Sequence, residues 1–140
     1  TGPLPTIHGH YLGDYGTADA NPVIGDSQIA ETFGLGAFDM GAAPALALYV
    51  GGTPEEATRL SQEMYAITLS EHRRFTVPAL SFRGTPLGID ARLVVQRGIE
   101  PLFNQGIAHR NAGIGQIGGG FGRAPVECFR IALEALGSIQ

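Results

Sequence analysis

A chain of 140 residues has the size of one domain and can bury a core of its own, so no internal boundary is expected. Its net charge of −4 and pI near 5.4 provide no positive field for a nucleic-acid backbone. All nine basic residues are arginines, which excludes a Schiff-base lysine and the lysine of a phosphate-binding P-loop. One cysteine, Cys128, forms no internal disulfide, and no apolar run approaches the roughly 18 residues of a membrane span. A soluble, cytoplasmic setting fits these features. The first residue is Thr1, without a methionine or a signal-peptide pattern, so processing upstream of it is one expectation.

Thr1 to Pro22, rich in Gly, Pro, His and Asp, reads as an irregular entry segment with room for one short strand. Asp26 caps a helix through Ser27 to Phe33, stopped by Gly34 and Gly36, and Met40 to Val50 reads as a small apolar buried segment. Thr53, Pro54 and Glu56 make an N-cap, a first-turn proline and a capping-box acid. They open a helix whose one face carries Ala57, Leu60, Met64 and Ile67. Phe75 to Phe82 has the β-branched and aromatic content of a strand, with Pro78 favouring an edge, and a turn is expected at Arg83 to Pro86. Asp90 caps a helix through Arg97 with Gly98 as terminator, and Ile99 to Phe103 reads as a buried strand. Asn104 to Gly122 reads as a glycine-rich loop, and a final amphipathic helix starts near Pro125 with Val126, Phe129, Leu133 and Leu136 on its apolar face. The whole predicts an α/β or α+β domain, a small mixed sheet flanked by about four helices.

Several groups of residues offer chemistry. Gly113 to Gly118 matches GxGxxG, but the chain ends before the strand and ribose-binding acid of a dinucleotide fold, expected about 20 residues later. The same glycines, Gly115, Gly118, Gly119 and Gly120 with Gln116 among them, either form an anion-holding nest of amides completed by Arg110 and Arg123, or serve tight packing. His109 follows Asn104 and Gln105, a titratable imidazole beside two amides that suit an amide-bearing substrate, or a structural histidine. Arg83 with Thr85 presents a fork of donors and a hydroxyl to phosphate or carboxylate, or is an ordinary turn. Asp90 orients Arg83 or only caps a helix; Asp26 and Ser27 face a ligand or only start one. Glu127 reads as a first-turn helix acid and Cys128 as a small core residue. His8, His10 and Asp14 lack a preformed metal geometry, so no metal is expected. Thr1 would be its own nucleophile and base if autocleavage freed its amine, the pattern of an amidohydrolase.

The stretches NPVIGDSQIAETFGLGAF, FRGTPLGIDARLVV and NQGIAHRNAGIGQIGGGFGRAPVECF resemble successive signatures of YahG/YlbE-like proteins. Family members are longer, so the resemblance implies a C-terminal domain of a larger protein. It also implies kinship to an oxamate carbamoyltransferase subunit of allantoin catabolism, which exchanges oxalurate and phosphate for oxamate and carbamoyl phosphate without a cofactor. On that implication Arg83 and the amides of Gly115 to Gly120 hold phosphate, and Arg123 or Arg110 holds the oxamate carboxylate. His109 polarises the carbamoyl oxygen or moves a proton, and Asn104, Gln105 and Asp90 orient the amide. Partner subunits are implied as well, in an oligomer whose active site lies between chains. The alternative is a noncatalytic assembly domain that packs through its apolar and glycine-rich surfaces.

Overall fold

In the computed structural model of the chain, the described residues are 3–5, 7–22, 31 and 34–137. Of the helix expected over Ser27 to Phe33 with Asp26 at its start, Glu31 alone is among them, and Thr1 lies outside them. Among the described residues, five strands form two antiparallel sheets. In the larger, β5 (Gln116–Arg123) lies between β1 (Ile7–Tyr11) and β4 (Leu102–Ala108); in the smaller, β2 (Thr68–Val77) pairs with β3 (Arg83–Ile89) across a register shift between Glu71 and Thr76. Four α-helices accompany them among the described residues, α1 (Pro44–Tyr49), α2 (Pro54–Met64), α3 (Ala91–Arg97) and α4 (Val126–Gly137), with a 3₁₀ segment over Gly36–Ala42. The α/β content and the helical flanks are as expected, and the strands divide into two antiparallel sheets.

The helix starts follow their local chemistry. Thr53 Oγ1 accepts from the Glu56 backbone amide and Pro54 fills the first turn of α2. Asp90 accepts from the Arg92 amide at the start of α3, and Gly98 closes it in the left-handed region. Ala57, Leu60 and Met64 of α2 meet Ala37, Phe38, Met40, Ala47, Ile67, Val94 and Leu102 in one buried cluster. Ser61, fully buried among them, donates to the Phe38 carbonyl at 2.7 Å and accepts from the Gly41 amide at 3.0 Å, pinning the 3₁₀ segment to α2.

Three expectations are corrected. The turn placed at Arg83 to Pro86 is the start of β3. The chain reverses earlier, through a 3₁₀ turn at Pro78–Leu80 and two residues of positive φ, Ser81 and Phe82, and β2 correspondingly begins at Thr68 and ends before Pro78. The loop read over Asn104 to Gly122 is two strands, β4 and β5, linked by residues 109–115. Glycines hide a strand because they carry no side chain to show a two-residue period. Here they make room for neighbours: a Cβ on Gly119 would stand 2.5 Å from the Tyr49 ring, and one on Gly122 would stand 2.5 Å from the Phe103 ring. Met40 to Val50 is only partly buried: Met40, Ala47 and Val50 are in the core, while Leu46, Leu48 and Tyr49 are 49%, 64% and 48% exposed.

Candidate functional site

Between α1 and the β4–β5 face lies a cavity of about 250 Å³, lined by Glu31, Leu46, Tyr49, Val50, Asn104, Gln105, Gly106, Gln116 and Gly120. The pairing of β4 with β5 brings residues separated by the 109–115 link to one wall. Gln116 Nε2 donates to the Tyr49 hydroxyl at 3.1 Å and to the Gly118 carbonyl at 2.8 Å. Gln105 Oε1 is buried without a hydrogen-bond partner among the described residues, a state that native structures seldom leave without a reason.

Glu31 is the carboxylate of the lining. Its Oε2 accepts the backbone amides of Asn104 at 2.6 Å and Ala37 at 3.2 Å. Burial raises its proton affinity above that of a free glutamate, and the two amide donors oppose that rise. A second perturbed carboxylate, Asp39 of the 3₁₀ segment, sits beside Thr85 of β3, outside the cavity lining. Burial pushes it up to about 6 against the opposing influence of the neighbouring Thr85 hydroxyl and of His72. Asp39 Oδ1 and the fully buried Thr85 Oγ1 have no hydrogen-bond partner among the described residues.

Of the residues singled out from the sequence, Asn104, Gln105, Gln116 and Gly120 come together on this cavity, with Gly118 and Gly119 in the strand beneath it. Gly118 to Gly120 lie in the central strand and pair on both sides, so the open nest of amides expected there is corrected to a ladder. Arg83, Asp90 and His109 do not line the cavity. Arg83 binds Glu71 Oε1 through Nε at 2.9 Å and Nη2 at 2.6 Å, and its guanidinium stacks 3.7 Å from the Tyr65 ring centre. Asp90 is paired with Arg92, whose guanidinium holds its carboxyl down to about 2. His109 closes the 109–115 link: its Nδ1 accepts from the Asn111 amide, its backbone amide donates to Gly115, and its ring meets Tyr15 edge-on. Arg110, exposed on the same link, donates its backbone amide to Asp19. Arg123 is held by Glu63 and the Glu100 carbonyl in a separate cleft with His8. Asp26 and Ser27 lie outside the described residues. Glu127 pairs with Arg130 on the outer face of α4.

Glu31, Tyr49 and Asp39 do not stand out in the sequence. No local pattern distinguishes an acid that will be desolvated from one that will be solvated, and Tyr49 looks like one more apolar residue at the end of α1. Among the described residues, no three His, Cys, Asp or Glu side chains gather to hold a metal ion, and no helix is long and apolar enough to cross a membrane.

With this geometry in hand, the likenesses to other proteins fall into place. A conserved protein of unknown function from Enterococcus faecalis V583 has a solved structure that matches 98% of this chain with a TM-score of 0.90 and 44% identity, and this chain covers 33% of it. No protein-family model matches the chain. The oxamate carbamoyltransferase subunit AllG of Escherichia coli (strain K12) is 48% identical over 137 residues, 97% of this chain and 33% of that protein. The uncharacterized protein YahG of the same organism is 44% identical over 133 residues, 95% of this chain and 28% of that protein. The chain is a homologue of these YahG-like proteins over nearly all of its own length, as its motifs indicated, and spans about a third of the length of the relatives it matches.

Proposed function

We propose that this chain is a substrate-binding part of a carbamoyl-transferring enzyme and that the cavity between α1 and the β4–β5 face receives a primary amide. The observation that carries this reading is that three carboxamide residues, Asn104, Gln105 and Gln116, line one cavity. A carboxamide offers both donors and an acceptor, so it complements another amide, and oxamate, oxalurate and carbamoyl phosphate all present one. The relationship to a protein named as an oxamate carbamoyltransferase subunit supports that choice of substrate.

The cavity lining contains no arginine or histidine among the described residues, so the anionic end of such a substrate is held from outside it. Five of the nine arginines are paired with carboxylates, Arg59, Arg83, Arg92, Arg123 and Arg130. Arg110, on the link that joins the two strands of the cavity wall, is our candidate for the substrate carboxylate. The exposed Leu46 and Tyr49 of the cavity lining, with the exposed Leu48 between them in α1, favour a second, compatible role in assembly, covered by a partner subunit or by the rest of a longer chain.

The test is carbamoyl transfer from carbamoyl phosphate to oxamate by the full-length protein with its partner subunits. Asn104→Ala and Gln105→Ala should each raise the KM for an amide substrate about tenfold, the effect of about 1.4 kcal/mol of lost binding. Unchanged kcat/KM in both variants sinks the amide-binding reading.

A further inference from the structure

Glu31 is the one carboxylate among the described residues lining the cavity, and its two oxygens are used differently. Oε2 takes both backbone amides, from Ala37 and from Asn104, which fixes the side chain at two points. Oε1 accepts no hydrogen bond among the described residues. The Asn104 amide that holds Glu31 belongs to a residue that lines the same cavity, so the carboxylate is placed by the backbone of the cavity wall. A carboxyl group held rigidly, half-buried and beside amide-recognising side chains has the attributes of a general base.

We infer that Glu31 is the proton acceptor of this cavity, taking a proton from the substrate's amide nitrogen as that nitrogen adds to a carbamoyl carbon. The inference rests on the amide-binding reading above. In the step, the nitrogen of oxamate forms a bond to the carbonyl carbon of carbamoyl phosphate. The carbon–oxygen bond to phosphate breaks, and phosphate leaves with the electron pair. The proton lost by the nitrogen goes to Glu31 Oε1 and from there to a phosphate oxygen, so oxalurate and hydrogen phosphate leave and the carboxylate is restored. Other acids and bases nearby are placed differently: His109 has Nδ1 occupied by the Asn111 amide and is not in the lining, and Asp39 is beside Thr85 rather than in the cavity. Desolvation raises the proton affinity of Glu31, the direction that suits a base working near neutral pH.

Glu31→Gln in the full-length protein with its partner subunits tests this, because glutamine keeps an oxygen for the two backbone amides and removes the base. The expected result is a kcat lower by about 10²- to 10⁴-fold, with KM changed little, and loss of the acid limb of the kcat/KM profile. Retained kcat, or a lower kcat with the acid limb intact, overturns the inference. Should Glu31→Gln fail to fold, Glu31→Asp decides: a slower enzyme that keeps the acid limb supports the role, and an enzyme of unchanged rate overturns it. Gln105→Ala separates the two layers. If it raises KM while Glu31→Gln is silent, only the role of Glu31 falls; if both are silent, the amide-binding reading falls with it.

Discussion

The cavity wall of β4 and β5 and the β2–β3 hairpin both carry polar residues that the sequence offers for chemistry, and they differ in what those residues are already bound to. On the hairpin, Arg83 is engaged by Glu71 and Tyr65. At the cavity, one oxygen of Glu31 is held by two backbone amides while the other has no hydrogen-bond partner among the described residues. A side chain whose hydrogen bonds are spent within its own fold is poorly placed to exchange them for a ligand, so the cavity is the better candidate site. The hairpin's ion pair is exposed and solvent-screened, and such pairs contribute little.

The sharpest way to break this contrast is Gly119→Ala. The new methyl group would meet the Tyr49 ring at 2.5 Å, so we expect overpacking to destabilise the fold by about 1–3 kcal/mol, read as a fall in Tm, and to shift α1 from the cavity. A variant with unchanged Tm would show that the contact does not set the cavity's shape.

Next is the second perturbed acid, Asp39. The Asp39 carboxyl titrates at about 6 in the fold against an ordinary aspartate value of 3.8, so the folded chain binds its proton more tightly than the unfolded chain. Its contribution is therefore fully present below about pH 3.8 and is lost as pH rises through about 6. Asp39→Asn should remove that dependence and raise stability most at pH 7 and above, measured as Tm across pH 4 to 8. A parallel loss of stability in wild type and variant through this window would place the titration elsewhere.

Tyr49→Phe should be milder. It removes the oxygen that accepts from Gln116 Nε2, an exposed bond whose net worth is about 0.5–1.5 kcal/mol, so KM for the amide substrate should rise severalfold while Tm changes little. The smallest effect is expected on the hairpin. Arg83→Ala should alter stability by no more than about 1 kcal/mol and leave carbamoyl transfer unchanged. A large loss of activity there would reverse the comparison and return Arg83 to the site.

Much of the helical framework was legible. Thr53, Pro54 and Glu56 announce α2, and Asp90 with Gly98 brackets α3, because caps and terminators act within one turn of the chain. The sheets were less so. The glycines of β5 carry no alternation, and the reversal at Ser81 and Phe82 places non-glycine residues at positive φ, against their usual preference. The candidate site was half legible: Asn104, Gln105, Gln116 and Gly120 stood out by chemistry, whereas Glu31 and Tyr49 did not, and Arg83, Asp90 and Arg123 proved to be held by acids or a neighbouring arginine.

By itself, then, the sequence determined the class of domain, the kinship with YahG-like proteins, the capped helices and the absence of lysine chemistry. These are properties of composition, of motifs and of contacts a few residues long. Only the tertiary structure decided that β4 and β5 stand side by side, that Tyr49 lies on Gly119, and that Glu31 is fixed by the amides of Ala37 and Asn104. Burial, unpaired acceptors and shifted proton affinities arise from contacts between segments far apart in the chain, and no local pattern of residues encodes them.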